Sequence, residues 1–79
     1  MLNEEALRQL MATMLNVDVV TIGQDASMDT IMSWDSLRHM NLVLALEDEF
    51  KVSIPDEDAA NITSYNLIKL VLEDLLQAK

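Results

Sequence analysis

The chain contains no cysteine and a single histidine, His39, which excludes disulfides, a thiolate nucleophile, iron–sulfur clusters and the usual Cys/His zinc sites. Any reactive thiol this protein uses must be added from outside. Apolar runs of the ~20 residues needed to cross a membrane are also missing. The N-terminal MLNEEALRQL has neither the basic start nor the apolar stretch of a signal peptide. A cytoplasmic protein without a membrane partner is the expectation. Basic residues are few: Lys and Arg number 5 against 14 Asp and Glu, a formal net charge of −9 at pH 7. A field of that sign repels phosphate backbones, so nucleic acid is not an expected partner, and it steers the protein towards basic patches on other proteins. Such a surface suits fast, repeated encounters.

What remains is enough for one small core. A chain of 79 residues buries only about 60% of the surface its unfolded form exposes, so a single domain over 1–79 is expected, with a net stability of only several kcal/mol. Asn3 is suited to cap a helix, Glu4 and Glu5 complement its positive end, and Leu7, Leu10, Met11 and Met14 recur at i, i+3, i+4, i+7. This spacing predicts an amphipathic helix over 3–15. From Val17 to Asp35 the period is lost, which predicts a long loop pinned by Val20, Ile22, Met28 and Ile31. Asp35 and Ser36 open the next segment, where Leu37, Met40, Val43 and Leu44 mark an apolar face that Leu42, Leu46 and Phe50 widen. This central helix should end near Lys51, before the weak helix formers Val52, Ser53 and Ile54 and the breaker Pro55. Asp56 is then expected to cap a short helix through Asn61. Thr63 or Ser64 should cap a last helix, on which Ile68, Val71, Leu72 and Leu75 repeat the helical spacing. The expected fold is all-α, a four-helix bundle with three main helices, one short third helix and a long loop after the first helix.

Asp35-Ser36-Leu37 sits where the central helix begins, and the pattern around it extends through Leu42, Ala45-Leu46-Glu47, Glu49-Phe50, Ile54-Pro55-Asp56, Ala59 and Ile62-Thr63, with Asp25-Ala26-Ser27 upstream. In these residues, spread over about 17–72, the chain resembles the acyl carrier protein family. The resemblance implies that Ser36 receives 4′-phosphopantetheine from coenzyme A and carries acyl groups as thioesters. The expected partners are a phosphopantetheinyl transferase, whose complex supplies magnesium, and acyl-activating, acyltransferase or synthase enzymes with basic docking surfaces. It implies no catalysis by the chain itself. The residues agree with this on physical grounds. A serine at a helix start lies beside unpaired N–H groups and the positive end of the dipole, which favour the negative charge of a phosphodiester. Leu37 is expected to point inward and so hold Ser36 outward. On position alone, Ser36 could equally serve as a plain helix cap.

Other residues invite narrower expectations. Glu47, Asp48 and Glu49 lie late in the central helix, where negative charge opposes the dipole by roughly 0.3–1 kcal/mol each. Glu47 and Asp48 are therefore read as a recognition patch for basic enzyme surfaces, together with the surface around Asp35, as the family implies; the competing reading is a solvated face. Arg38 and Asn41, read with them as partner-recognition residues, stand where familiar fatty-acid carriers have acidic residues, Ser33 where a glycine is usual, and Trp34 precedes the motif. These departures point to a specialised pathway. Met28, Met32 and Met40 are expected to line a small acyl pocket near Ser36, their flexible thioethers adapting to the chain. Trp34 is read as an exposed partner contact or a lid over the loop. His39, with a reference pKa of about 6.5, is read as a surface residue that adds charge. Asp35, Ser36 and His39 are the residue types of a hydrolytic triad, but adjacent Asp and Ser do not readily bracket a histidine. Asp56-Glu57-Asp58 lacks the glycine and terminal glutamate of a calcium loop, so no metal site is expected. A monomer is expected. The alternatives are an acidic helical adaptor acting by non-covalent contacts and an aminoacyl or peptidyl carrier.

Overall fold

A computed structural model describes residues 2–77. The first helix, α1, is Glu4–Leu15. The Asn3 side chain accepts the Ala6 N–H at 3.1 Å, and Asn16, left-handed at φ 58°, ends the helix by sending its own N–H back to the Ala12 and Thr13 carbonyls. Leu7, Met11, Ala12 and Leu15 are buried along one stripe, with Leu10 and Met14 half-buried beside it.

The segment between α1 and the central helix is a loop with one 3₁₀ turn, Val19–Thr21. Ile22, Ala26, Ile31 and Trp34 pin it into the core, whereas Val20, expected among the pins, is exposed. Its backbone finds partners elsewhere, as a buried connection requires. Arg8 Nε donates to the Ile22 carbonyl at 2.8 Å, and the Ser33 hydroxyl donates to the Leu15 carbonyl at 2.6 Å, satisfying an acceptor that the end of α1 leaves open. The Met28 N–H donates to Thr63 O at 3.0 Å and the Tyr65 N–H to Ala26 O at 2.9 Å. The loop is thus tied to α1 through Ile22 and Ser33 and, between them, to the start of the last helix through Ala26 and Met28.

The central helix α2 is Ser36–Phe50, and Asp35 caps it by accepting the Arg38 N–H at 2.9 Å. Its buried stripe is His39, Leu42, Val43 and Leu46. Leu37, Met40 and Leu44, expected on the inner face, are 71%, 66% and 62% exposed. The i, i+3, i+4, i+7 stripe that faces the core therefore starts at the histidine. Lys51, left-handed at φ 57°, stops α2. The short helix α3 is Asp56–Asn61; its N-cap is Pro55, not Asp56, and no side chain caps it. The last helix α4 is Tyr65–Gln77, where Ser64 fulfils the expected capping role by accepting the Leu67 N–H at 3.2 Å. Ile68 and Leu72 are buried as expected, with Tyr65 beside them and Val71 and Leu75 half-buried. The architecture is all-α with four helices around one apolar cluster.

Tyr65 ties the start of α4 to the start of α1. Its hydroxyl donates to Glu4 Oε1 at 3.0 Å, and Lys69 Nζ lies 3.3 Å from the same oxygen. Burial, and then the Glu4 carboxylate, push the Tyr65 phenol up to about 12. The Tyr65 and Lys69 contacts hold the Glu4 carboxyl below its ordinary value.

Candidate functional site: Ser36 and the groove beside it

Ser36 is the first residue of α2 and is exposed. Asp35 performs the capping, so Ser36 is free of that duty. Among the described residues the Ser36 hydroxyl and the N–H groups of Ser36 and Leu37 have no hydrogen-bond partner. A nucleophilic oxygen therefore stands in solvent beside two open donors and the positive end of a 15-residue helix. This arrangement fits a phosphodiester. Leu37 does not turn inward to hold the serine outward. Ser36 faces solvent because the buried stripe begins one turn later, and Leu37 is exposed next to it.

That buried stripe opens with His39, which is neither a surface residue nor a source of added charge. Trp34 Nε1 donates to His39 Nδ1 at 3.0 Å, and His39 Nε2 lies 2.7 Å from the Ala59 carbonyl oxygen. An indole nitrogen is only a donor and a carbonyl only an acceptor. The imidazole is accordingly neutral with its proton on Nε2. Both ring nitrogens are used, leaving none to activate Ser36, so the triad arrangement is absent. Trp34 is 2% exposed, its ring stacked 6.1 Å from that of His39, so it is a core residue and not a partner contact.

Between α2 and α3 runs an apolar groove of about 500 Å³. Met40, Val43 and Leu44 form one wall, Ile54, Ala59 and Ala60 the other, and His39, Glu47 and Asp56 contribute polar edges. Of the three methionines expected to line a pocket, only Met40 does so. Met32 is almost fully solvent-exposed, and Met28 is half-buried against the core without reaching the groove. Sequence reasoning left the alanine wall unassigned. Its signal was the pair Ala59-Ala60, small side chains on a short helix that leave room where larger ones would fill it.

The residues read as a recognition patch divide. Asp48 and Asn41 are exposed and Arg38 is half-buried. Glu47 serves the fold itself, since its Oε2 accepts the Ile54 N–H at 2.7 Å and supports the bend between α2 and α3. Local structure thus explains Glu47, contrary to the expectation that it does not.

The family profile described as "Phosphopantetheine attachment site" matches residues 5–71, from α1 into α4. The chain belongs to the phosphopantetheine attachment site family. It is a carrier domain whose cofactor is covalently attached 4′-phosphopantetheine. A solution NMR structure of holo acyl carrier protein from Geobacter metallireducens is similar with a TM-score of 0.82. That match has 23% sequence identity and covers 94% of this chain and 85% of that one. At this identity the likeness establishes a shared fold. Carrier domains of this family work with the enzymes that modify them and the synthases they serve.

Proposed function

We propose that Ser36 is the attachment residue of this carrier domain and that the protein carries acyl intermediates as thioesters between biosynthetic enzymes. The observation that carries this reading is the exposed, unpartnered Ser36 hydroxyl at the first position of α2, inside the Asp35-Ser36-Leu37 motif of the matched region. When bound, the arm supplies the thiol that a chain without cysteine lacks. The chain's own part is mechanical. Asp35 fixes the start of α2 and so the position of the Ser36 backbone, and the open N–H groups of Ser36 and Leu37 favour the phosphate charge.

The groove between α2 and α3 supports shelter of an apolar acyl chain, with Met40 as its adaptable wall. Exposed Leu37, Met40 and Leu44, bordered by Arg38, Asn41 and Asp48, support docking of partner enzymes by apolar contact with a mixed charged rim. With Arg38 and Asn41 at its head, that rim is less negative than the chain as a whole, which supports a specialised pathway. A cytoplasmic setting agrees with a cofactor drawn from coenzyme A.

Intact mass before and after incubation with coenzyme A, magnesium and a broad-specificity phosphopantetheinyl transferase tests the assignment. One arm's mass should be gained and should be absent in Ser36→Ala. The exposed apolar stripe on α2 would also serve a non-covalent adaptor. That reading takes over if folded protein gains no mass while a control carrier does.

A further inference from the structure

The helix α3 is weakly founded. It has six residues, none of them fully buried, and no side-chain cap. An isolated helix of that length does not persist in water. Two side chains of α2 reach across the groove to hold this part of the chain. At one end, Glu47 Oε2 accepts the Ile54 N–H; at the other, His39 Nε2–H donates to the Ala59 carbonyl, each at 2.7 Å. His39 lies three residues after Ser36, so on the helix surface its bond spans the groove at the end next to the serine. Trp34 determines that this bond forms. Its indole N–H occupies Nδ1 and leaves the imidazole proton on Nε2, aimed at Ala59. The indole cannot easily turn away, because it is buried in the core.

We propose that Trp34, His39 and the Ala59 carbonyl form a latch that holds α3 as the wall of the groove. His39 is then the positioning residue that decides whether a chain carried on Ser36 lies in the groove or in solvent. The second half rests on the reading that Ser36 carries acyl thioesters; the first does not. Ordinary packing accounts for Val43 and Ile54, but a buried imidazole bonded at both nitrogens fixes a distance between two elements that apolar contacts leave free to slide.

Amide hydrogen exchange on the unmodified protein tests the latch directly. In His39→Leu the Ala59 and Ile62 amides, which bond the Pro55 and Asp58 carbonyls, should exchange roughly fivefold faster, the loss of one hydrogen bond, while α1 amides keep their rates. His39→Gln, which keeps an N–H donor of similar reach, should restore slow exchange. Trp34→Phe, which retains a ring in the core, should loosen the same two amides more mildly. On the arm-loaded protein, hydroxylamine should cleave an octanoyl thioester more slowly than an acetyl thioester. That difference should shrink in His39→Leu and return in His39→Gln.

Equal acceleration in α1 and α3 would reduce His39 to a general contributor to stability and overturn the latch, as would unchanged exchange in α3. An octanoyl-to-acetyl ratio that is the same with and without the latch would overturn the positioning role. Failure of the wild-type protein to accept any arm would count against the carrier reading and is registered by mass alone, while exchange on the unmodified protein still decides the latch.

Discussion

His39 shows how one side chain changes the phase of a helix. Residues 39, 42, 43 and 46 form a regular stripe, as do 37, 40 and 44, and periodicity does not say which faces inward. The all-apolar stripe is the natural choice from sequence, because an unpaired imidazole is costly to bury. The structure removes that cost by giving both nitrogens partners. Tyr65 makes a similar long-range bond, from the start of α4 to Glu4. Its phenol is pushed up to about 12, so folding favours the protonated form. This contribution is fully present below the ordinary value of 10.0 and is lost as pH rises through about 12. Urea midpoints should show wild type more stable than Tyr65→Phe by about 1 kcal/mol at pH 7. The advantage should disappear between pH 10 and 12; parallel curves over that range would contradict the assignment. Glu4 works in the opposite direction. Its lowered carboxyl adds stability above its ordinary value, lost as pH falls.

At the scale of elements, helix ends were easier to read than helix faces. Asn3, the Asp35–Ser36 start and Ser64 act as local signals because a cap involves only the next three residues. The end of α2 was also legible, yet its means were not: Lys51 adopts a left-handed conformation that lysine tolerates poorly. Glycine has no such penalty. Lys51→Gly should raise stability by about 0.5–1 kcal/mol, measured as a shift in urea midpoint with an unchanged slope. A lower midpoint would show that the lysine side chain contributes something the backbone argument omits. The expected Asp56 cap failed because Pro55 already occupies the cap position, leaving Asp56 in the first turn, where its charge still suits the dipole.

For the whole molecule, charge is the dominant unbalanced term. The net charge is −9, and among the described residues the one ion pair is Lys69–Glu4. Most carboxylates therefore meet other carboxylates through solvent, and screening relieves repulsion more than it costs in attraction. The melting temperature should rise by a few degrees between about 0.01 and about 0.15 M salt, over which the Debye length falls from about 30 to about 8 Å. An unchanged value would mean that repulsion is already dispersed over the surface.

Sequence alone determined the helical content, most helix ends, the need for an external thiol, and the position of the Asp35-Ser36-Leu37 motif at a helix start. All of these depend on composition or on contacts within a few residues. Only the tertiary structure decided which stripe of α2 is inside, that Met28 and Met32 lie away from the groove, that Ala59 and Ala60 line it, and that Trp34 and His39 are bonded in the core. Those outcomes depend on where α3 and the long loop come to rest against α2. That placement is set by hydrogen bonds spanning 18 residues from Leu15 to Ser33 and 20 from His39 to Ala59, and local patterning carries no record of such pairings.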